Sequence, residues 1–416
     1  MKAVILAAGF GSRMGSGIPK PLVRLFGIPL IEHKILKLKG YKIAVVYHDE
    51  RVAEFIREKY PNITLIHNPY PEKENGYSLY CAKDFIKEGE NFILLMADHY
   101  YGDKFFNSIF EEENKNIIFV SFYCNDPDEA TKVKVENEKV VKIGKGLLDY
   151  DYFDTGFFIC TREVFRYAEK LLHKEKIKLS DIMQEIANDG KLFYKVIDDF
   201  WIDIDTKEDL KTAEKLIRKS LIKKTDGFIS KYINRQISTR ITPFLTRFDF
   251  ITPNFLTYFT AALGFLVGFL FLYKKYLLAG ILTQVTSIID GCDGEIARLK
   301  NLSSRFGAIL DTVLDRYVDT FIIFAIFMSL EKNIALYIAF FLAITGSILV
   351  SYVSHLTGIR PYFATRDLRL FVIMLGAVLE EFIHGSLYIT LWIIGIISHL
   401  AVLYSVLKVK QTCDNR

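Results

Sequence analysis

Four carboxylates have the type and spacing for metal-assisted chemistry. They lie in Asp290-Gly-Cys-Asp293-Gly294-Glu-Ile-Ala297-Arg298 and, eight residues later, Gly307-Ala-Ile-Leu-Asp311-Thr-Val-Leu-Asp315. Asp290 and Asp293 stand at i, i+3, and Asp311 and Asp315 at i, i+4, so on helices each pair shares one face. Asp290 and Asp293 end one apolar run, and Asp311 and Asp315 sit inside the next. A carboxylate at membrane depth costs roughly 2.5–3.5 kcal/mol on insertion scales, so four together require compensation. A divalent cation is the natural compensation, and all-oxygen ligation favours Mg²⁺ or Mn²⁺. Gly294, Ala297 and Gly307 are small enough to let helices and a phosphate-bearing ligand approach closely. The plainer alternative, water-facing acids in loops between helices, leaves the glycines and Arg298 unexplained.

A second set of residues opens the chain. Leu6-Ala-Ala8-Gly9-Phe-Gly11-Ser-Arg13-Met-Gly15 follows an apolar strand and precedes Pro19-Lys20-Pro-Leu22. Glycines after a strand expose backbone N–H groups to phosphate oxygens, while Arg13 and Lys20 supply positive charge. It is not a dinucleotide fingerprint, because the third glycine is misplaced and no helix starts at once. Leu94-Leu-Met-Ala-Asp98 is a buried strand ending in an acid, the usual place for a ligand at a sheet's carboxyl edge. Trp201-Ile-Asp203-Ile-Asp205 adds two more acids, of which Asp205 has the alternative of capping the helix near Lys207.

The elements that position these residues fall into two kinds. Of 416 residues, 51% are hydrophobic, but nearly everything after Phe255 is apolar while the first two hundred residues read as soluble. The soluble part, 1–206, alternates strands (2–7, 42–47, 63–67, 92–97, 117–123, 155–160, 193–197) with helices (29–39, 50–59, 78–87, 161–172, 181–189). This pattern predicts an α/β fold with a mostly parallel, Rossmann-like sheet. Residues 207–252 form a junction in which Phe228, Ile229, Tyr232, Ile233, Ile237 and Ile241 share a face opposite Lys231, Arg235 and Arg240. It reads as an interfacial helix, with a helix packed on protein as the alternative. Six apolar segments follow within 253–416, at about 255–274, 277–298, 306–330, 333–354, 367–383 and 386–407, each long enough to span a hydrocarbon core of roughly 30 Å. The domain is therefore expected to be all-α and six-helix transmembrane.

Charge supports an orientation. Arg298, Lys300, Arg305, Arg360, Arg366, Arg369, Lys408 and Lys410 gather on one side, with Lys274, Lys275 and Lys332 opposing them. That bias puts both termini and both sites on the cytoplasmic face of the cell membrane. The apolar strand at the very start shows no signal peptide, in keeping with a cytoplasmic soluble half. The net charge of +4 is too small to argue for nucleic acid, and five scattered cysteines without CxxC spacing read as reduced thiols.

The spacing D-x-x-D-G-x-x-A-R-x8-G-x3-D-x3-D resembles the signature of the CDP-alcohol phosphotransferase family. That resemblance implies that Asp290, Asp293 and Asp311 hold a pair of metal ions against the diphosphate of a CDP-alcohol. It further implies that Asp315 is the general base and shares the second metal, and that Gly294, Ala297, Arg298, Gly307 and Asn254 (in Thr252-Pro-Asn254) contact nucleotide. It also implies six spans and, commonly, a homodimer formed through the membrane domain. The N-terminal combination LAAG-x-G-x-R…PK-x-L, with W-x-D-I-D-T-x-E-D-L at 201–210, resembles the nucleotidyltransferase family that makes NDP-sugars and CDP-alcohols. There the resemblance implies Mg²⁺ held by Asp98 and Asp203, nucleotide on Leu6, Ala8, Gly9 and Gly11, catalytic Lys20 and Arg13, and base recognition by Asn75 and Ser78. Lys134 and Lys145 are candidates for the incoming phosphate or solvated surface lysines, and Asp154-Thr-Gly156 for the alcohol pocket. Arg360, Arg366 and Arg369 lie where relatives accepting inositol phosphate carry a basic pocket; the alternative is a positive-inside loop without ligand.

A soluble cytidylyltransferase joined to a domain that consumes CDP-alcohols implies two consecutive steps on one chain. This arrangement resembles the bifunctional inositol-phosphate cytidylyltransferase and di-myo-inositol phosphate phosphate synthase family of heat-loving microbes. The expected partners are CTP, inositol 1-phosphate, CDP-inositol and the lipid bilayer, with no nucleic acid. The rivals are a phospholipid synthase using CDP-diacylglycerol and a non-enzymatic CTP sensor fused to a transporter. Clustered acids without broken helices in matching halves argue against the transporter.

Overall fold

Apolar alternation in the first strand sets the layers of the soluble half. In β1 (Lys2–Ala7), Val4 and Leu6 point to one face and Ala3, Ile5 and Ala7 to the other, and all five are buried. Both faces must therefore be covered, and fully burying a side chain of the size of Ile5 or Leu6 contributes about 2 kcal/mol. The computed structural model describes residues 1–10, 17–109, 115–223 and 225–414, so Gly11 and Arg13 lie outside the described residues. Two compact units, Met1–Ile217 and Arg218–Arg416, make up the chain.

In the first unit the strands are β1, the short hairpin β2 (Arg24–Leu25) and β3 (Ile28–Pro29), then β4 (Lys42–Tyr47), β5 (Thr64–His67), β6 (Asn91–Met96) and β7 (His99–Tyr101). They continue with β8 (Asn116–Ser121), β9 (Lys132–Glu136), β10 (Lys139–Gly144), β11 (Tyr152–Thr161), β12 (Leu192–Val196) and β13 (Trp201–Asp203). Helices α1 (Leu30–Lys37), α2 (Glu50–Lys59), α3 (Glu74–Cys81), α4 (Asp103–Asn107), α5 (Val164–Lys170) and α6 (Leu179–Asn188) accompany them. The main sheet has the order β5-β4-β1-β6-β11-β8-β12-β10-β9. Pairing is parallel across β5-β4-β1-β6 and at β8-β12, and antiparallel elsewhere, so the sheet is mixed rather than mostly parallel. The chain from β8 through β9 and β10 to β11 carries no crossover helix, and strands joined without one pair antiparallel. Asn137 and Glu138, both at positive φ, turn β9 directly back into β10.

Helix α7 (Lys207–Leu221) leads out of this unit. Its start is held by Thr206, whose Oγ1 accepts from the Asp209 N–H while Asp209 accepts from the Thr206 N–H and hydroxyl. Thr206 rather than Asp205 thus caps the helix, and the Asp205 carboxylate accepts from Lys20 at 2.6 Å.

The second unit is helical. A π-helical turn, Ser230–Asn234, leads into α8 (Arg235–Leu245), followed by α9 (Pro253–Leu272), α10 (Tyr276–Leu299), α11 (Arg305–Ser329), α12 (Ile334–Thr357), α13 (Arg366–Glu380) and α14 (Ser386–Asp414). Thr252, Ser304 and Asn333 each cap the helix that follows by accepting a backbone N–H, and Pro253 occupies the first turn of α9. Side chains of Val318 and Phe321 fill the space where Cβ atoms at Gly264 and Gly268 would stand, so α9 and α11 pack with close backbones. Among the described residues three helices are long and apolar enough to cross a membrane: Pro253–Leu272, Ile334–Thr357 and Ser386–Gln411, with mean hydropathies of 2.1, 2.3 and 2.0. The other three, α10, α11 and α13, are the ones that carry the acids and arginines.

Of the expected apolar face of the junction helix, Ile229 is buried. Phe228, Tyr232, Ile237 and Phe244 are exposed, while Asn234, Ser238, Thr239 and Thr242 are buried. The inward face is polar because it meets polar groups on α10.

Candidate active sites

At the carboxyl end of the sheet, parallel pairing of β1 with β6 brings Ala8-Gly9 alongside Asp98, with the Ala97 N–H donating to Leu6 O. Leu6 and Ala8 are buried, whereas among the described residues no atom stands within 4 Å of where a Cβ at Gly9 would lie. Antiparallel pairing of β13 with β7 makes Asp203 the register partner of His99. Ligand atoms of Asp98, His99 and Asp203 consequently lie within 4.8 Å of one another. Lys20, in the turn after Pro19, is 8% exposed and donates to Asp98 (2.8 Å), Asp205 (2.6 Å) and Asp203 (3.4 Å).

Charge balance in this group follows from those distances. Burial alone would lower the Lys20 ammonium, but Asp98, Asp203 and Asp205 outweigh it and hold it above the usual lysine range. Burial likewise opposes the charged form of Asp203, yet His99 and Lys20 keep it below the usual carboxylate range. Asp98 Oδ1 is buried and, among the described residues, has no hydrogen-bond partner, with His99 Nε2 3.8 Å away. An orphaned carboxylate oxygen beside an imidazole and a second carboxylate fits a divalent cation. Gly156 must be glycine here: its φ is +71°, and a Cβ would stand 2.7 Å from the His99 ring. His99 itself is fixed by Thr155 O at 2.8 Å.

Other predicted residues of this unit are engaged elsewhere. Asn75 Oδ1 accepts from the Leu179 N–H, pinning the start of α6, and Ser78 is buried against Asn68 at 2.9 Å. Lys134 pairs with Asp149 and Asp151, and Lys145 with Glu129. Asp154 is turned onto the Gly156 N–H, and burial raises its carboxyl to about 6.

In the second unit, α10 and α11 cross so that ligand oxygens of Asp290, Asp311 and Asp315 lie within 4.8 Å of one another. Asp293 stands outside this trio, with Oδ2 accepting from Thr257 at 2.8 Å. An oxygen-only donor set fits Mg²⁺ or Mn²⁺. Arg366, at the start of α13, bridges the acids: Nη1 lies 2.9 Å from both Asp290 and Asp315, and Nε lies 3.0 Å from Asp319. Arg369 and Arg316 also reach Asp319, each at 3.3 Å. A cavity of about 340 Å³ opens onto the trio and includes Arg360, Arg366, Ser354 and His355 in its wall. Arg369 is only 3% exposed and is spent on Asp319 and Ala364 O, so of the three predicted arginines Arg360 is the exposed one. Asn254 faces Gly307, where a Cβ would lie 3.1 Å from Asn254 Oδ1. Arg298, beside Gly294, donates to Leu221 O at 3.1 Å.

Sequence reasoning passed over His99, Asp319 and Glu295. Asp319 had a signal, since Asp311, Asp315 and Asp319 repeat at i+4, and Glu295 sits within the signature as a charge on an apolar helix.

Known proteins match in the same two pieces. Residues 3–128 match the MobA-like NTP transferase domain and residues 250–406 the CDP-alcohol phosphatidyltransferase family. A bifunctional IPC transferase and DIPP synthase of Aquifex aeolicus is 38% identical, covering 98% of this chain and 98% of its own length. Proteins of the same description from Archaeoglobus fulgidus and Thermococcus kodakarensis are 40% and 39% identical. They cover 85% and 84% of this chain, and 71% and 81% of their own lengths.

Proposed function

The chain belongs to the family of bifunctional IPC transferases and DIPP synthases, and from that premise we propose that its two acid groups divide two consecutive reactions between them. It is a nucleotidyltransferase and a CDP-alcohol phosphotransferase joined in one enzyme. Inositol 1-phosphate and CTP give CDP-inositol and pyrophosphate; CDP-inositol and a second inositol 1-phosphate then give phosphorylated di-inositol phosphate and CMP. The single observation that carries the division is the presence of two separate acid groups, each converged within 4.8 Å, on one chain. The matches support this reading and not a CDP-diacylglycerol lipid synthase.

In the first reaction a phosphate oxygen of inositol 1-phosphate forms a bond to the α-phosphorus of CTP, and the bond to pyrophosphate breaks. Backbone at Ala8-Gly9 borders the space for the nucleotide, and Lys20 offers charge to its phosphates. Asp98, His99 and Asp203 would hold a divalent cation, Mg²⁺ in our reading, which supplies Lewis-acid charge when bound. In the second reaction Asp315 takes the proton of the acceptor hydroxyl, whose oxygen bonds to the β-phosphorus of CDP-inositol as CMP departs. Asp290, Asp311 and Asp315 would hold the metal there, and Arg360, exposed on the cavity wall, receives the acceptor's phosphate.

Membrane association rests on the three apolar helices. We extend it to six spans with both termini cytoplasmic, because α10, α11 and α13 turn their charges onto one another. Exposed Phe228, Tyr232 and Phe244 suit the headgroup region. The test is product analysis of the purified chain given CTP, Mg²⁺ and inositol 1-phosphate alone. Pyrophosphate, CMP and a phosphorylated di-inositol are expected together; pyrophosphate without CMP would contradict the second step.

A further inference from the structure

Glu295 lies on α10 two residues beyond Asp293, is fully buried, and is not one of the three acids that converge. By helical geometry it points about 140° around the axis from Asp290 and about 160° from Asp293, to the back of the helix. Its partners there all come from the junction helix. Oε1 accepts from Arg235 Nη1 at 2.8 Å and Ser238 Oγ at 2.5 Å, and Oε2 accepts from Thr242 Oγ1 at 2.6 Å. Arg235 also donates to Gly291 O at 2.7 Å, the residue following Asp290, and its Nε pairs with Asp226 at 3.1 Å. Gly291 makes room for this approach, since a Cβ would stand 2.9 Å from Arg235 Nη1. One turn back, Asn234 Nδ2 donates to Ser287 at 3.0 Å.

We propose that Glu295 and Arg235 form a clamp that fixes the rotation of α10, making Glu295 a positioning residue for the phosphotransfer carried out at Asp290, Asp311 and Asp315. The proposal rests on the assignment of that trio as the site of the second reaction. Apolar packing alone lets a helix turn by small angles with little change in buried area, whereas charge-assisted hydrogen bonds from three side chains fix direction. A turn of about 20° would swing a carboxylate carried about 6 Å from the axis by about 2 Å. Displacement on that scale separates productive from unproductive geometry in phosphoryl transfer. The anchoring donors sit in the segment that joins the two halves of the chain, so the junction helix is a structural part of the second site.

The test uses the full chain, with CDP-inositol and inositol 1-phosphate as substrates and Mn²⁺ as metal. CMP release is measured kinetically and Mn²⁺ binding directly by paramagnetic resonance of the free ion. Glu295→Gln keeps shape but loses the charge; it is expected to lower kcat for CMP release 10- to 100-fold and to weaken Mn²⁺ binding in the second site by a similar factor. KM for CDP-inositol stays within about twofold, and pyrophosphate production from CTP is unchanged. Arg235→Lys, which leaves Ser238 and Thr242 in place, shows the same pattern with a smaller effect and covers the case in which Glu295→Gln fails to fold. Wild-type kcat and Mn²⁺ binding in folded Glu295→Gln, even with a lowered Tm, would overturn the proposal in favour of a purely structural role. Asp290→Asn is run beside them: wild-type turnover and Mn²⁺ binding in that variant would instead show that the trio itself is wrongly assigned, and the clamp would fall with it.

Discussion

The two acid groups solve the same electrostatic problem with different backbones. In the soluble half the acids come from strand ends, where Asp98, Asp203 and Asp205 keep side-chain exposures of 29%, 38% and 34% and are met by Lys20, with His99 beside Asp98 and Asp203. In the helical half the acids come from helix interiors, and Asp290, Asp315 and Asp319 keep only 23%, 17% and 5%. There one arginine is not enough: Arg366, Arg369 and Arg316 all converge on Asp319. Water shares the work at a sheet edge, whereas on buried helices the protein must supply nearly every partner itself. The two cations differ in how they reach their acids: Lys20 meets three carboxylates through one Nζ, whereas Arg366 spreads three over Nη1 and Nε in the fixed plane of its guanidinium.

If the groups are separate centres, single substitutions should split the activities. Asp311→Asn is expected to lower CMP release by about 10³-fold while pyrophosphate production persists, and Asp98→Asn to do the reverse when CDP-inositol is supplied. Parallel loss of both activities in either variant would break the comparison. Next in size, Arg366→Met removes the bridge from Asp290 and Asp315 to Asp319. It should destabilise the helical unit by about 3 kcal/mol and reduce CMP release about 10²-fold, read by thermal unfolding and kinetics. The smallest effect concerns pH in the soluble unit. Burial opposes the His99 imidazolium, but Asp203 and Asp98 outweigh it and raise the group to about 9. Its contribution to stability, at most about 3 kcal/mol, is therefore fully present below about pH 6.5 and lost as pH rises through about 9. Metal-free protein should show the soluble unit's thermal midpoint falling across that range, and His99→Gln should flatten the fall.

Much of this was legible in the residues. Period-two and helical patterns located seven strands of the main sheet, Lys2–Ala7 and Asn91–Met96 among them, because those are long and apolar. They missed Lys132–Glu136 and Lys139–Gly144, whose alternating lysines and glutamate face solvent, and with them the antiparallel half of the sheet. Spacing alone singles out Asp290, Asp293, Asp311 and Asp315, since i+3 and i+4 fix a face before any tertiary contact exists, and three of the four converge. It could not foresee that Asp293 turns to Thr257, because that depends on where α9 packs. His99 was hidden for the same kind of reason: only the β7–β13 pairing sets it opposite Asp203. For Asp205 the helix cap stands as an alternative in the sequence because local signals ignore Lys20, which is 185 residues away.

The division of labour is tested most directly with Asp315→Asn given CTP, Mg²⁺ and inositol 1-phosphate, following all three products over time. The account predicts that pyrophosphate forms at the wild-type rate and CDP-inositol accumulates, while CMP and phosphorylated di-inositol fall by about 10²- to 10⁴-fold. CMP released as fast as in the wild type would contradict the role given to Asp315 and, with it, the helical acid trio as the second active site.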